Sequence, residues 1–197
     1  HGELLASTLL ADYLKSLSVP VFWKDAREVI ATDSHHREGR IDWDLTAKKI
    51  ESWRPFLEKG IIITQGFIGR TTDGLSTTLG REGSDFSAAI LGYVLAAESV
   101  TIWKDVPGVM NADPKRIPSA TVFDELPYQE AAEMTYFGAS VIHPKTIKPL
   151  ANRGIPLLVK SFVDTRLPGT VIHACKVRQL PPLVVFKENQ CLISCKV

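Results

Sequence analysis

Short strand-like runs alternate with helical patterns along most of this 197-residue chain. Several of the runs are rich in β-branched residues, which pack well in sheets. Such an alternation favours an α/β protein with a parallel sheet. The predicted strands are 19–23, 61–64, 100–103 and 155–160, and the predicted helices are 1–17, 44–59, 84–98, 127–137 and 144–152.

Two of these segments are expected to be buried. Residues 61–64 read Ile-Ile-Ile-Thr, which is typical of a strand covered on both faces. Helix 84–98 is apolar nearly all round, so it too should lie inside the protein. Residues 66–83 separate the two and carry five glycines among serines and threonines, with no apolar period. No regular element is predicted there.

Charge and composition exclude several classes of protein. The formal charge is only +1, from 23 basic and 22 acidic residues, which argues against nucleic-acid binding through bulk charge. A hydrophobic content of 45% is too high for a disordered chain. The longest apolar run, 88–97, is about half of the roughly 20 residues that span a bilayer.

The cysteines and histidines suggest no metal site. Cys175, Cys191 and Cys195 form no CxxC pair and lie away from any histidine cluster, so they are predicted to be structural thiols. Their odd number and the lack of a secretion signal indicate the reducing cytoplasm. His35 and His36 are interpreted as part of a solvated loop, because no third ligand is nearby.

Residues 79–85, Leu-Gly-Arg-Glu-Gly-Ser-Asp, lead into the buried helix. Helix N-termini attract anions through their free backbone N–H groups. Arg81 adds a planar fork that suits a carboxylate or a phosphate. Two interpretations of Ser84 and Asp85 stay open here. In the first interpretation the two residues are an ordinary helix cap. In the second, Asp85 holds a cationic group in a site.

Two further segments place polar groups at the ends of predicted elements. In 102–115 a strand runs into a Pro/Gly turn with two carboxylates and two lysines, which suits nucleotide phosphates with Mg²⁺. A solvated turn explains that composition equally well. In 137–144 one helix ends and another begins, and His143 is interpreted as a capping or packing residue rather than a base.

Taken together, these segments resemble the aspartate kinases of the amino acid kinase superfamily. The order and spacing of the motifs agree over roughly residues 1–172. One such motif would be weak evidence, whereas the ordered set is very specific. The matching motifs are HGEL at 1–4, TQGFIG at 64–69, TLGREGSD at 78–85, WKDVPG at 103–108, DP at 113–114, EAAEM at 130–134 and FGA at 137–139.

The resemblance implies a three-layer α/β/α sandwich with a mostly parallel central sheet, incomplete in this chain. Residues 1–175 would form the larger, C-terminal part of the kinase domain, and 183–197 the first strand of an ACT regulatory domain. The implied activity is ATP-dependent phosphorylation of the side-chain carboxylate of L-aspartate to 4-aspartyl phosphate, the first step of lysine, threonine and methionine biosynthesis. ATP and Mg²⁺ would be used, in a cytoplasmic homo-oligomer formed through the ACT region, with no nucleic acid or membrane partner.

The resemblance also implies roles for individual residues, none of them as a metal ligand. Met110 and Ser140 stand where the family often has Tyr and Lys, and they cannot supply the same polar contacts. The implied substrate contacts are Glu3, Arg81 and Ser84, the residue that organises the catalytic lysine is Asp85, and the ATP contacts are Lys104, Asp105, Met110, Lys115 and Ser140.

The chain is expected to be a segment of a longer protein. Helical spacing already begins at Leu4, and residues 191–197 alternate like a strand with no turn after them. The family's Lys-Phe-Gly-Gly loop, which holds a phosphate-contacting lysine, does not occur in the sequence, so the segment alone is expected to be inactive. Two alternatives stay open: another amino acid kinase, acting on glutamate or its N-acetyl form, or a non-catalytic nucleotide-binding module.

Overall fold

The computed structural model describes residues 1–137, 141–176 and 180–185. They fall into two compact units, one of residues His1–Val100 and one that begins at Thr101. No helix within the described ranges has the length and hydropathy that a membrane span needs. Ser140, Cys191, Cys195 and most of the predicted strand 183–197 lie outside the described residues.

The first unit combines two small sheets with four helices. Strands β1 and β2 are parallel, with Val21 opposite Ile61, and β3 and β4 form an antiparallel hairpin. The elements in chain order are α1 (Gly2–Ser16), β1 (Val21–Trp23), α2 (Trp43–Ile50), α3 (Arg54–Leu57), β2 (Ile61–Ile63), β3 (Ile68–Arg70), β4 (Ser76–Thr78) and α4 (Gly83–Leu95).

The core of this unit lies between α4, α2 and the segment after β1. Trp43 packs edge-on against Phe86 and Tyr93, with ring centroids 6.4 and 5.0 Å away. Burial of these apolar side chains is the main stabilising contribution. The buried members of the cluster are Ala26, Val29, Ile30, Ile50, Trp53, Leu79, Ile90 and Val94.

Three predictions for this unit were wrong in detail. The helix predicted over 44–59 divides into α2, a 3₁₀ turn and α3, because Pro55 has no N–H to donate to the preceding turn. Strand β2 is not covered on both faces. Ile61 is 50% exposed, and Ile62 and Ile63 are only partly buried, because the elements packed against β2 cover these side chains incompletely. The hairpin of β3 and β4 was not predicted at all.

The second unit is built around a four-stranded sheet with the order β5-β7-β8-β6. Strands β6 and β8 are parallel, whereas β7 and β8 are antiparallel. The α/β class is therefore confirmed, with mixed strand pairing. The elements are β5 (Val100–Lys104), which starts at the unit boundary, β6 (Glu125–Pro127), α5 (Tyr128–Phe137), α6 (Pro144–Arg153), β7 (Leu157–Ser161) and β8 (Thr170–His173).

Helix α6 has the ends that its sequence predicts. The backbone N–H of Lys145 donates to Nδ1 of His143 at 3.2 Å, so His143 is confirmed as a capping residue. Gly154 ends the helix in the left-handed region, with φ +65°. By contrast, Pro127 is the last residue of β6 and not the first turn of α5. Strands β6 and β8 were not predicted.

Two glycines with positive φ offer a matched test of packing in the second unit. A Cβ on Gly154 would point into open space, whereas a Cβ on Gly169 would lie 2.3 Å from the carbonyl oxygen of Val159. Gly154→Ala should lower the free energy of unfolding by about 1–2 kcal/mol, the cost of a left-handed alanine. Gly169→Ala should cost about 2–5 kcal/mol, because overpacking adds to that strain. Urea denaturation of both variants checks this, and equal losses would contradict the structure.

Candidate active site

The start of α4 receives no hydrogen bond from the side chain of its N-cap residue. Glu82 is the N-cap residue, lies in the left-handed region with φ 53°, and makes no capping hydrogen bond with its side chain. The N–H of Gly83, the first residue of the helix, donates to the carbonyl of Gly80 at 3.1 Å, and the positive end of the helix dipole at this turn would favour an anion. Ser84 is consequently not the helix cap, so that interpretation was wrong. Asp85, partly buried, lies in the first helical turn.

Close packing holds the end of β2 against the start of α4. A Cβ on Gly66 would lie 2.9 Å from Cα of Ser84, so only glycine fits there without a shift. The backbone N–H of Phe67 donates to Oγ of Ser87 at 2.8 Å, and that hydroxyl donates to the carbonyl of Gly83 at 2.9 Å. The loop after a parallel strand thus meets a helix N-terminus, a common ligand-binding arrangement in α/β proteins.

Buried hydrogen bonds tie α1 to the same loop. Gln65 is 2% exposed, and its amide donates to Oγ of Ser7 at 2.8 Å and accepts from the backbone N–H of Ala26 at 2.9 Å. The indole N–H of Trp23 also donates to Ser7, at 3.0 Å. Glu3 is exposed and lies one turn before Ser7, on the same side of α1. The end of α1 that carries Glu3 is therefore held near the loop that supports α4.

Arg81, Glu82 and Thr64 are charged or polar residues in the segments that lead to the start of α4. The Arg81 side chain is 75% exposed, and its Nε lies 4.0 Å from Oε1 of Glu82. Oε2 of Glu82 and Oγ1 of Thr64 are buried without a hydrogen-bond partner, two of four such side-chain atoms among the described residues. Because buried polar atoms normally have partners, these two indicate a place for a polar ligand. Thr64 and Glu82 were not among the predicted site residues, although both lie within matching motifs.

Glu82→Gln tests whether this carboxylate is kept for function. The substitution preserves size and removes a partly buried charge whose ionic neighbour, Arg81, lies at the limit of contact. Because burying part of a charge costs more free energy than burying a neutral amide, the melting temperature should not fall. If Glu82 orients the Arg81 guanidinium for a substrate, the KM of the complete gene product for that substrate should rise severalfold, because the guanidinium loses the carboxylate that fixes its position. A lower melting temperature with an unchanged KM would mean that Glu82 is only structural.

The polar loop 33–40 supports the strand that leads into the site. The backbone N–H of Thr78 donates to the carbonyl of His36 at 2.8 Å, and the N–H of Gly39 donates to the carbonyl of Thr78 at 2.8 Å. Gly80 has a φ of +72°, a left-handed conformation that favours glycine at this position. The loop is solvated, as predicted from its histidines, and it also positions residues 78–80.

Asp33 organises that loop and makes its stability depend on pH. The backbone N–H groups of Arg40 and His35 donate to its carboxylate, and the His35 ring adds a contact, which lowers the pKa of Asp33 from 3.8 to about 2. A depressed pKa means that the carboxylate contributes stability above pH 3.8 and that this contribution is lost as pH falls towards 2.

Asp33→Asn should therefore destabilise the chain more at neutral pH than in acid. Urea midpoints of the parent chain and the variant are expected to differ near neutrality and to converge as the pH falls through the interval from 3.8 to about 2. A constant difference across that interval would show that the charge of Asp33 contributes nothing.

The second unit presents a polar loop after β5. Lys104 ends this strand and is partly buried, and Asp105 follows it in an exposed position. Lys115 is exposed, and its backbone N–H donates to Oδ1 of Asp113 at 2.9 Å. Met110 is partly buried and forms an isolated bridge with Val122. The four predicted ATP contacts that are described therefore belong to one loop and the strand before it.

A buried threonine and an asparagine hold this loop in place. Oγ1 of Thr170 accepts from the backbone N–H of Val109 at 2.8 Å and donates to the carbonyl of Phe123 at 2.6 Å. Asn111 donates through Nδ2 to the carbonyl of Pro182 at 3.2 Å, and its own carbonyl accepts from the N–H of Val184 at 2.9 Å. Residues 182–184 thus contact the loop next to Met110. Sequence patterns did not predict this contact.

The predicted site residues that the structure describes belong to two different units. Glu3, Arg81, Ser84 and Asp85 belong to the first unit, around the start of α4 and the end of α1. Lys104, Asp105, Met110 and Lys115 belong to the second unit. The first group lies at a helix N-terminus, where the helix dipole would favour an anion, with an arginine beside it, and the second has lysines and carboxylates on one polar loop.

Known proteins of one family are similar to this chain over most of its length. The sequence model of the amino acid kinase family matches residues 1–161. Lysine-sensitive aspartokinase 3 of Escherichia coli is 40% identical over 98% of this chain and 44% of its own length. A chloroplastic bifunctional aspartokinase/homoserine dehydrogenase 1 of Zea mays is 42% identical over 87% of this chain and 19% of its own length.

Solved structures agree with the sequence relatives. The crystal structure of E. coli aspartokinase III in complex with aspartate and ADP, in the R-state, has a TM-score of 0.87 and covers 90% of this chain and 40% of that one. This likeness confirms the predicted amino acid kinase-like α/β fold. The chain spans less than half the length of these relatives.

Proposed function

Because this chain belongs to the amino acid kinase family, we propose that the complete gene product transfers the γ-phosphoryl group of ATP to the side-chain carboxylate of L-aspartate. The products are 4-aspartyl phosphate and ADP. The observation that carries the proposal is the uncapped start of α4 beside Arg81, in a chain 40% identical to an aspartokinase solved with aspartate and ADP. An anion-binding helix end with an exposed arginine suits a substrate that has two carboxylates.

Three residues of the first unit would bind aspartate. The guanidinium of Arg81 can pair with one substrate carboxylate through two parallel hydrogen bonds. Glu3 supplies a negative charge for the substrate ammonium group, and the exposed hydroxyl of Ser84 adds a hydrogen bond at the helix start. These opposite charges fit an amino acid better than a simple dicarboxylate.

The chemistry requires little covalent help from the protein. The substrate carboxylate is already ionised at pH 7, so it needs no general base. Its oxygen forms a bond to the γ-phosphorus while the bond to the β,γ-bridging oxygen breaks, and ADP leaves with that electron pair. The protein must hold the two anions in line and balance their charge. Asp85 would do so indirectly, by holding a cationic group towards the phosphates.

The loop of the second unit would bind the nucleotide. Lys104 and Lys115 offer positive charge to phosphates, and Met110 offers an apolar contact in place of a hydrogen bond. Asp105 and Asp113 are exposed carboxylates of the kind that contact hydrated Mg²⁺, so the residues present fit this ion. Mg²⁺, when bound with ATP, neutralises phosphate charge. Ser140, which follows the FGA motif at 137–139, is also proposed as an ATP contact, from the family resemblance alone.

The remaining features follow from the same resemblance. Residues 1–175 would be the kinase part, and residues from 183 onward would begin an ACT regulatory domain through which the complete protein forms homo-oligomers. The protein would work in the cytoplasm, in the biosynthesis of lysine, threonine and methionine. Size-exclusion chromatography of the complete gene product, compared with a version that stops at residue 175, tests the assembly role.

A coupled assay of ADP release tests the activity and separates it from its closest alternatives. The complete gene product is given ATP and Mg²⁺ with L-aspartate, L-glutamate or N-acetyl-L-glutamate in parallel. The proposal predicts ADP release that depends on aspartate and is at background with the other two. Turnover with glutamate or its N-acetyl form would replace aspartate as the substrate. ATP binding without turnover on any acceptor would favour a non-catalytic nucleotide-binding module.

A further inference from the structure

Three side chains with different ligand atoms meet at one edge of the second unit's sheet. One carboxylate oxygen of Glu125, one ring nitrogen of His173 and Sγ of Cys175 all lie within 4.8 Å of one another. Nε2 of His173 is 3.1 Å from Oε2 of Glu125. Cys175 therefore lies beside a single histidine and a carboxylate, a grouping that the absence of a histidine cluster in the sequence did not indicate. It is a free thiol two residues beyond His173.

The strand pairing explains why these residues meet. Glu125 is the first residue of β6 and is paired with Val171 in the parallel β8. Side chains alternate along a strand, so His173 shares a face with Val171 and with the cross-strand neighbour Glu125. Directly after β8 the backbone N–H of Cys175 donates to the carbonyl of His173 at 3.0 Å, which folds the chain back towards its own strand. The cluster thus stands on two hydrogen-bonded strands rather than on a loose loop.

We propose that Glu125, His173 and Cys175 bind a zinc-like transition-metal ion, with a fourth coordination position open to solvent. Thiolate, imidazole and carboxylate together are ligands for Zn²⁺ or Co²⁺ and not for Mg²⁺ or Ca²⁺. A divalent ion would balance the charges of one thiolate and one carboxylate, which leaves a neutral centre. This inference is independent of the proposed kinase activity.

The geometry needs only small side-chain movements. Tetrahedral bonds of about 2.0–2.3 Å set ligand atoms about 3.3–3.8 Å apart, so atoms that now lie within 4.8 Å need to approach by at most about 1–1.5 Å. The side chains of Glu125 and His173 are 53% and 32% exposed, which leaves them room to move. Burial, with the nearby charge of Glu125, raises the pKa of the Cys175 thiol, and a bound cation would oppose both causes.

An open cleft provides access to the cluster. It has a volume of about 660 Å³, and Glu125 and His173 form part of its wall together with Asp124, Leu180 and Pro181. Three protein ligands with an open position match zinc sites that bind water or a small ligand, whereas closed structural sites have four. A simple ion pair would explain His173 and Glu125, but it would not require a thiol beside them.

Cobalt titration of the 197-residue chain tests the site. Cys191 and Cys195 are first changed to Ser, so that Cys175 is the only thiol. CoCl₂ should then produce a saturable thiolate-to-cobalt charge-transfer band in the near ultraviolet, with one ion per chain, and Zn²⁺ should displace it. Zn²⁺ should also raise the melting temperature, because it binds the folded chain. Absence of the band at excess Co²⁺ would overturn the proposal.

Variants assign the ligands one at a time. In that chain, Cys175→Ser should abolish the charge-transfer band. His173→Gln and Glu125→Gln should each weaken Co²⁺ binding at least about tenfold, because losing a metal ligand should cost more affinity than losing a residue that only supports a ligand. His36→Gln, at an exposed loop histidine, is the matched control and should change nothing. Circular dichroism checks that each variant is folded. Binding that survives both the His173 and Glu125 changes, or that falls equally in the control, would refute this ligand set.

Discussion

Asp85→Asn in the complete gene product is expected to lower kcat by at least about 100-fold with little change in stability, the scale of losing one preorganised electrostatic group. The variant keeps the size and polarity of a residue in the first turn of α4, so the helix should still form. It removes the charge that would hold a cation towards the phosphates. The lost interaction with the helix dipole should cost only about 0.3–1 kcal/mol.

A second acidic residue in a first helical turn supplies the control for Asp85. Asp44 occupies that place in α2 and is exposed. Asp44→Asn should lower the free energy of unfolding by about as much as Asp85→Asn does and leave kcat unchanged. If Asp85→Asn instead lowers the melting temperature sharply while turnover per folded molecule stays normal, Asp85 is a structural residue of the helix start.

Arg81→Lys should weaken the use of aspartate far more than the use of ATP. Lysine keeps the positive charge but lacks the fork that makes two parallel hydrogen bonds to a carboxylate. The expected loss in kcat/KM for aspartate corresponds to about 1.5–3 kcal/mol, or roughly 10- to 150-fold. Initial rates measured while each substrate is varied in turn separate the two effects.

Arg54→Lys is the matched control for Arg81. Arg54 is an exposed arginine of the same unit whose Nε contacts Glu51 at 2.7 Å, outside the proposed site. This change should leave both substrates unaffected. Unchanged aspartate kinetics in Arg81→Lys would remove Arg81 from the site, and equal losses for aspartate and ATP would place it nearer the phosphates than proposed.

Elements with local signals could be predicted from the sequence. Helix α6 begins with His143-Pro144 and ends at Gly154, and each of these residues acts within a few positions of itself. The buried helix after residue 83 and the glycines before it likewise indicated a ligand-binding helix start. Its left-handed N-cap at Glu82 could not be predicted, because a positive φ at a residue other than glycine is uncommon and has no local sequence signal.

Elements that depend on distant partners could not be predicted. In the hairpin of β3 and β4, Thr77 is 1% exposed and its hydroxyl lies 2.7 Å from that of Thr32, so a threonine occupies a position where an apolar residue would signal a strand. Strand β6 ends at Pro127, a residue equally typical of a helix start. The bond from Gln65 to Ser7 spans 58 residues, and no local pattern predicts it.

The residues of the proposed metal site, Glu125, His173 and Cys175, show the same limitation in the second unit. His173 and Cys175 have a spacing of two that would suggest ligands on one side of a strand, but strand β8 itself was not predicted. Glu125 comes close only because β6 pairs with β8. A candidate site that lies at one helix end could therefore be predicted from the sequence, whereas a candidate site shared by two strands could be identified only from the structure.

Trapping of the acyl phosphate product tests the central proposal most directly. The complete gene product is incubated with ATP, Mg²⁺, L-aspartate and hydroxylamine, which converts an acyl phosphate into a stable hydroxamate that mass spectrometry identifies. The proposal predicts the β-hydroxamate of aspartate in an amount equal to the ADP released, and its loss in Asp85→Asn. ADP released without hydroxamate, or a hydroxamate formed from glutamate and not from aspartate, would contradict it.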